Sequence, residues 1–226
     1  MSVQQTIEKS LEILLKQKIK IQGAGRTDTG VHAKQMYAHF DFEEPLDLEN
    51  LIYKLNAFLN KDIGIANIHK VRHDSHARFD AISREYEYYI TQIKDVYNHD
   101  KKYFFSKKLD FDKIDKAIYI LKNTKNFKSF CRTKSDVTNY NCEIFDFYYE
   151  IKESEIIFRI RANRFLRNMV RSLIGTILDV SLNKISIKDL TEIIEKSNRI
   201  YAGPSVPAHA LFLSNVEYPK NVFLDE

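Results

Sequence analysis

Residues 23–33 read GAGRTDTGVHA and hold three of the six glycines of the protein within eight positions. Residues 18–22 before this stretch predict a short strand. Residues 35–42 after it alternate apolar and polar side chains, which is the period of a half-buried strand. Because glycine adopts backbone conformations that other residues resist, the stretch predicts a tight loop between two strands, with Asp28 at its tip.

Outward from this loop, the chain predicts helices and strands in alternation. Ser2 and Gln5 form a capping box ahead of an amphipathic helix over residues 3–17, Asp47 caps a second helix, and Asp112 leads into a third. A lysine-rich segment over residues 94–108 separates two halves, so we expect an N-terminal lobe of residues 1–95 and a C-terminal lobe of residues 96–226. The pattern predicts an α+β fold with antiparallel or mixed sheets. The predicted strands cover residues 63–71, 84–92, 143–151, 155–162 and 210–217.

Composition excludes several classes of protein. The chain has 226 residues, of which 44% are hydrophobic, enough for a substantial core. It contains no apolar run near the roughly 20 residues that span a bilayer, and its N-terminus resembles no signal peptide, so we expect a cytoplasmic protein. Two cysteines are too few for a disulfide framework or a zinc ribbon. Three histidines, His69, His73 and His76, lack matching ligands, so we predict no metal site.

Positive charge is concentrated in one segment. Lysine and arginine number 35 against 31 acidic residues, yet five arginines and no acid lie between residues 159 and 171. At about 100° per residue of an α-helix, Arg164, Arg167 and Arg171 share a face away from an apolar stripe. Such a face can pair with successive phosphates of a nucleic acid. The alternative is an ordinary solvated helix face.

The glycine-rich loop can carry catalysis through Asp28. An arginine two residues away, Arg26, favours the charged form of a carboxylate that partial burial would neutralise, and a nucleophile or base must be charged. The alternative is an aspartate-capped turn with a surface ion pair. Tyr86, Tyr88 and Tyr89 on a predicted strand could stack an unpaired nucleobase, although aromatic residues on strands more often belong to a core.

The loop and four further motifs resemble those of one known family. GRTDTGVHA is similar to the GRTDxGVHA signature of the tRNA pseudouridine synthase A family, and the other motifs follow in the family's order. They extend over most of the chain, so similarity by chance is excluded. The four are SREYEY (83–88), NFKSF (126–130), ANRFLRNMVRSLIG (162–175) and AGPSVPAHALFL (202–213).

This resemblance implies an isomerase that converts uridine to pseudouridine in the anticodon stem-loop of tRNA, without a cofactor or metal. It also implies a homodimer, with two α/β lobes flanking a basic cleft. In this scheme Asp28 is the catalytic carboxylate, paired with an inward-pointing Arg171, and Tyr86 stacks on the target base. The remaining substrate-binding residues are Arg26 on the flipped nucleotide, Leu211 in the pocket, and Arg164 and Arg167 on the tRNA backbone.

Two departures from the family pattern stand out. The family normally begins with a strand carrying a YDGxxxxGxQ pattern, and here Met1 opens at the first helix, so we expect this strand to be absent. Ala210 replaces a usual glycine just before Leu211. Two other functions stay open: a non-catalytic tRNA- or RNA-binding protein derived from the same family, and an unrelated hydrolase that uses Asp28 with His32.

Overall fold

The computed structural model describes residues 1–133 and 137–224, and its backbone contacts separate into two compact units. The first unit combines residues 1–26, residues 36–81 and the C-terminal segment from Tyr218. The second unit combines Thr27–Gln35 with Ile82–Glu217. The loop that carries Asp28 therefore belongs to the second unit. Among the described residues, no helix is both long and apolar enough to cross a membrane.

Two capped helices and a small core build the first unit. Helix α1 (Val3–Leu15) begins at the predicted capping box, and helix α2 (Leu48–Phe58) begins at Asp47, whose side chain accepts a hydrogen bond from the Asn50 N–H. Strands β1 (Gln22–Gly23) and β3 (Ala38–His39) pair antiparallel. The buried core of this unit consists of Leu11, Ile19, Ile21, Leu51, Leu55 and Leu59.

Three predicted strands of the first unit were wrong in extent or kind. The strands predicted at residues 18–22 and 35–42 shorten to the two-residue strands β1 and β3. Residues 63–71 form no strand, and only an isolated bridge joins Val71 to Phe223. The isoleucines of this segment pack against the core from irregular backbone. Apolar spacing reports burial, whereas a strand also needs a neighbouring backbone to pair with.

A six-stranded mixed sheet organises the second unit. Its order is β2-β8-β4-β7-β6, and β5 adds to the free part of β4. The pairs β2–β8 and β4–β5 are parallel and the others antiparallel, which confirms a mixed α/β fold. The strands are β2 (His32–Ala33), β4 (Ser83–Thr91), β5 (Tyr103–Phe104), β6 (Ile144–Lys152), β7 (Glu155–Ala162) and β8 (Leu211–Glu217).

Strand β4 lies inside this sheet, between β8 and β7. The lysine-rich stretch that follows this segment predicts its place in the N-terminal lobe. Its hydrogen-bonded partners, however, come from residues 155–162 and 211–217. A boundary signal in sequence reports local polarity, whereas membership of a unit depends on pairing with residues distant along the chain.

Three helices contribute to the large core of the second unit: α3 (Phe111–Lys122), α4 (Met169–Ser181) and α5 (Ile187–Lys196). Of these, α4 is buried on all sides, as expected of a helix in the middle of a core. Arg171 is its only residue that is not fully buried. Arg171, in the first turn, is the only basic residue of this helix, and its one acidic residue, Asp179, pairs with Lys184 over 2.8 Å.

Candidate active site

A tight turn positions Asp28 directly before the sheet. The Val31 N–H donates a hydrogen bond to the Asp28 carbonyl oxygen over 3.1 Å, and Gly30 has a φ of +85°. A positive φ at the third residue of a four-residue turn is a requirement that glycine meets without strain. Strand β2 then pairs with β8, with His32 opposite Phe212. The turn is thus tied to the sheet on its C-terminal side.

Two guanidinium groups approach the Asp28 carboxylate. Arg171 Nη1 lies 3.3 Å from Oδ2, and Arg167 Nε lies 3.6 Å from Oδ1. The Asp28 side chain is 17% exposed and that of Arg171 20%, whereas the Arg167 side chain is 56% exposed. Since solvent screens the Arg167 interaction more strongly, the Asp28–Arg171 pair is the stronger of the two.

Backbone contacts hold Arg171 in place. Its Nε donates to the Val206 carbonyl oxygen over 2.7 Å, and the Val206 N–H donates to the Arg171 carbonyl oxygen over 3.2 Å. The guanidinium therefore bridges the segment before β8 and the carboxylate of Asp28. Pre-organised donors of this kind lose little conformational entropy when they act on a bound group.

The predicted helix face of Arg164, Arg167 and Arg171 was wrong. Helix α4 begins only at Met169, and Asn168 before it has a left-handed φ of 66°. Asparagine tolerates this conformation, and its Nδ2 donates to Ser205 Oγ over 2.6 Å. The apolar spacing continues through the break, so periodicity could not reveal it. Only Arg171 lies on the helix, and Arg167, expected to face the tRNA, has its Nε 3.6 Å from Asp28 while its side chain stays 56% exposed.

Tyr86 lies on β4, and its ring meets the Phe165 ring edge to face at 5.0 Å. Burial raises the pKa of Tyr86 to about 12; the charge of Arg84 opposes this increase and the charge of Asp28 adds to it. The phenol therefore keeps its proton at neutral pH.

The other predicted site residues differ in their surroundings. Leu211 is buried at the start of β8, opposite Tyr88. Arg164 is partly buried, and its charge opposes the burial that raises the pKa of Cys142 to about 11. Arg26 belongs to the first unit, where its side chain is exposed. The guanidinium groups at the Asp28 carboxylate are therefore supplied by residues 167 and 171, far from it in sequence.

Most of the other candidate aromatic residues belong to the core. Tyr88, Phe127 and Phe130 are fully buried, and the Tyr88 hydroxyl donates to the Pro207 carbonyl oxygen over 3.0 Å. Tyr89 lies on the other side of β4 and donates to the Glu87 carboxylate over 2.5 Å. Of the three tyrosines on this strand, Tyr86 is the one whose pKa is raised by the charge of Asp28.

Histidines form no metal cluster in the part of the chain that the structure describes, where no three His, Cys, Asp or Glu residues converge. His39 and His76 meet edge to face at 4.8 Å, and His76 also contacts Gln22. His32, which the hydrolase hypothesis pairs with Asp28, stacks on Phe212 at 4.7 Å. These rings have aromatic or amide partners.

A pocket that the sequence does not predict lies next to the Asp28–Arg171 pair. The pocket has a volume of about 400 Å³, and Arg171 forms part of its wall. Arg132 and Arg199 are single arginines distant from the 159–171 cluster, so no local pattern could have singled them out. The remaining lining residues are Thr133, Asn168 and Ser205.

Comparison with known proteins shows similarity over almost the whole chain. The model of a family described as "tRNA pseudouridine synthase" matches residues 117–219. The tRNA pseudouridine synthase A of Parabacteroides distasonis is 46% identical over 224 residues, which are 99% of this chain and 89% of that protein. The enzyme of the same name from Bacteroides fragilis is 44% identical over 98% of this chain and 89% of its own. The tRNA pseudouridine synthase A 1 of Bacillus cereus is 38% identical over 96% and 89%.

Proposed function

The chain belongs to the tRNA pseudouridine synthase A family, and from this premise we propose that it isomerises uridine to pseudouridine in tRNA, in the anticodon stem-loop. The observation that carries the proposal is the Asp28 carboxylate, mostly buried on its glycine turn, with Arg171 Nη1 at 3.3 Å. A charged carboxylate withdrawn from water and held by a fixed cation is suited to act as a nucleophile or a base.

The reaction itself needs only such a group. The bond from ribose C1′ to uracil N1 breaks, the uracil turns, its C5 bonds to C1′, the proton on C5 is lost, and N1 takes up a proton. No oxidant, reductant or transferred group enters the balance. A carboxylate can serve by adding to the sugar or the base, or by abstracting a sugar proton. We assign this role to Asp28.

We assign substrate binding to the groups around Asp28. A uridine in a stem must leave its stack first, which costs a few kcal/mol. Stacking of the Tyr86 ring on the extruded base would offset this cost. Leu211 would line the apolar side of the pocket that holds the base. Arg164, Arg167 and Arg26 would contact the tRNA backbone and the flipped nucleotide. The partial exposure of Arg164 and the greater exposure of Arg167 support contact with a polyanion.

Three further properties stay predictions, the first two from the family resemblance and the third from the sequence composition and N-terminus. They are a two-lobed arrangement around a basic cleft, a homodimer, and a cytoplasmic location. The protein needs no cofactor or metal in this proposal, because the isomerisation conserves all atoms except the exchanged proton.

The test is tritium release from tRNA labelled at C5 of uridine. We expect release by the unmodified protein and a loss of roughly 10²–10⁴-fold or more in Asp28→Asn, which keeps the shape of the side chain and removes its charge. Asp100→Asn is the matched control, since Asp100 is an exposed aspartate of the same unit. Tight tRNA binding without release by the unmodified protein would instead favour the non-catalytic RNA-binding alternative.

A further inference from the structure

The pocket beside the Asp28–Arg171 pair has the donor set of an anion site. Among the described residues, its lining consists of three arginines and three neutral polar residues, none of them acidic. Its volume of about 400 Å³ falls within the roughly 300–1,000 Å³ typical of small-ligand sites. The pocket thus has room for a group the size of a nucleotide.

Two of the three arginines have no carboxylate partner among the residues that the structure describes. Within residues 1–133 and 137–224, no acidic side chain lies within ion-pair distance of Arg132 or Arg199, while Arg171 pairs with Asp28. Arg199 is partly buried, and burial lowers its pKa. A guanidinium withdrawn from water without an opposite charge is costly, and an incoming anion would remove that cost.

Hydrogen bonds hold the floor of the pocket in a fixed geometry. Arg199 Nη1 donates to the carbonyl oxygens of Ala202 and Gly203 over 3.2 and 3.0 Å, and Nη2 donates to Ser205 Oγ over 3.0 Å. Ser205 Oγ also accepts from Asn168 Nδ2 over 2.6 Å. A hydroxyl has two acceptor lone pairs and one donor, so both of its acceptor positions are used. Its proton remains available to a ligand, and no described residue is seen to accept it.

The pocket is joined to the reacting carboxylate through backbone and side chain. The Arg132 N–H donates to the Arg167 carbonyl oxygen over 3.0 Å, and the side chain of Arg167 reaches Asp28. Arg171 takes part in both places, since it lines the pocket and contacts Asp28. The Arg171 side chain therefore lies between a ligand in the pocket and the target nucleotide that we assign to Asp28.

We propose that this pocket binds a backbone phosphodiester of the RNA next to the target uridine, with Arg132, Arg199 and the Ser205 hydroxyl as its donors. The inference rests on the proposed function, because it takes the nucleotide at Asp28 as the reference point. Fixing a neighbouring phosphate would orient the extruded nucleotide at the carboxylate. It adds a binding site outside the 159–171 arginine segment and assigns a role to residues 132, 199 and 205.

The experiment combines a protein variant with a modified RNA. Stem-loop RNAs that the unmodified protein binds are made with a single neutral methylphosphonate at each linkage within two nucleotides of the target uridine. Their dissociation constants are measured for the full chain and for Arg132→Ala, chosen because the Arg132 side chain is exposed and has no described ion-pair partner. Lys188→Ala, an exposed cation on α5 outside the pocket, is the control of equal charge change.

We expect Arg132→Ala to weaken binding of unmodified RNA about tenfold, as for loss of one hydrogen bond to a charged group. The slope of log affinity against log salt should fall by about 1, while Lys188→Ala leaves it unchanged. At one linkage, the methylphosphonate should also weaken binding by the unmodified protein about tenfold. The same methylphosphonate should cause no further loss of affinity in Arg132→Ala. Such non-additivity identifies groups that interact directly.

Additive losses at every linkage would overturn the proposal. The proposal would also be overturned if Arg132→Ala kept its affinity for RNA and lost only the inhibition of RNA binding by inorganic phosphate, measured at constant ionic strength. The pocket would then be a site for free phosphate. Pseudouridine formation is measured in the same reactions and tests the proposed function separately. Non-additive losses of affinity without pseudouridine formation would refute the isomerase function and support the phosphate site. Pseudouridine formation with additive losses of affinity would support the isomerase function and refute the phosphate site.

Discussion

Replacing Gly175 with alanine has two opposite effects on the free energy of unfolding, one from helix propensity and one from packing. Gly175 lies in the middle of α4, where alanine is favoured over glycine by about 1 kcal/mol, so the sequence alone predicts a more stable protein. In the structure, a Cβ at this position would overlap the Pro204 carbonyl oxygen and lie 3.0 Å from the Pro204 carbonyl carbon. The obstacle is backbone, which cannot turn away as a side chain can.

The expected loss of stability follows from this geometry. Nonbonded carbon atoms prefer a separation of about 3.5–4.0 Å, and the Pro204 oxygen overlaps the Cβ more severely than the carbon does, so the carbonyl must move by at least about 1 Å. Overpacking of this kind costs up to about 3 kcal/mol, from which the propensity gain of about 1 kcal/mol is subtracted. We expect the free energy of unfolding to fall by about 2 kcal/mol and Tm to drop by about 4–8 °C for a chain of this size.

The same displacement should reach the active site. Val206, two residues after Pro204, supplies the carbonyl oxygen that accepts from Arg171 Nε over 2.7 Å. A movement of about 1 Å would break this hydrogen bond, which weakens steeply beyond about 3.2 Å. Arg171 would then lose the contact that fixes it beside Asp28. We expect kcat for tritium release to fall by up to about 10²-fold, the effect of a 1 Å misplacement.

Thermal unfolding followed by circular dichroism, together with tritium release from C5-labelled tRNA, measures both effects. Gly64→Ala is the control, because the nearest atom to a Cβ there is Asn56 Oδ1 at 4.0 Å. That variant should keep the unmodified Tm and turnover. A Gly175→Ala protein with an equal or higher Tm and full turnover would refute the packing argument.

Two further predictions concern single side chains. Tyr86→Phe keeps the ring that meets Phe165 and should reduce kcat/KM only a few-fold. Tyr86→Ala removes stacking worth about 1–3 kcal/mol and should reduce kcat/KM roughly 5–150-fold. Both variants are measured below their own Tm. Equal losses would assign the role to the hydroxyl. Burial would raise the pKa of Glu87, but hydrogen bonds from Lys34 and Tyr89 and the charge of Arg159 outweigh it, so the pKa is lowered. The charged carboxylate therefore stabilises the folded protein at neutral pH, and this stabilisation is lost as pH falls through the lowered pKa. In urea unfolding at a series of pH values, Glu87→Gln should reduce the dependence of the free energy of unfolding on pH. An unchanged pH dependence in Glu87→Gln would contradict the prediction.

Local chemistry in the sequence predicted a large part of the fold. The caps at Ser2 and Asp47 start α1 and α2 as expected, because a cap involves residues three positions apart. The predicted strands 143–151 and 155–162 are present as β6 and β7, and they pair antiparallel because a short turn joins them. Asp28 stood out by the same local reasoning, as a carboxylate among glycines, and the structure places it mostly buried beside two guanidinium groups.

Contacts between distant residues decided the rest. The sequence could not show that a left-handed Asn168 ends the arginine periodicity, because the apolar spacing runs on through it. Nor could it bring Arg132 and Arg199 to one pocket with Arg171, or bring the Pro204 carbonyl against Gly175. Periodicity and caps depend on neighbours within a few residues, and so they can be read from the chain. Which backbone closes on which side chain depends on how the sheet and α4 pack, and that is decided only when the core forms.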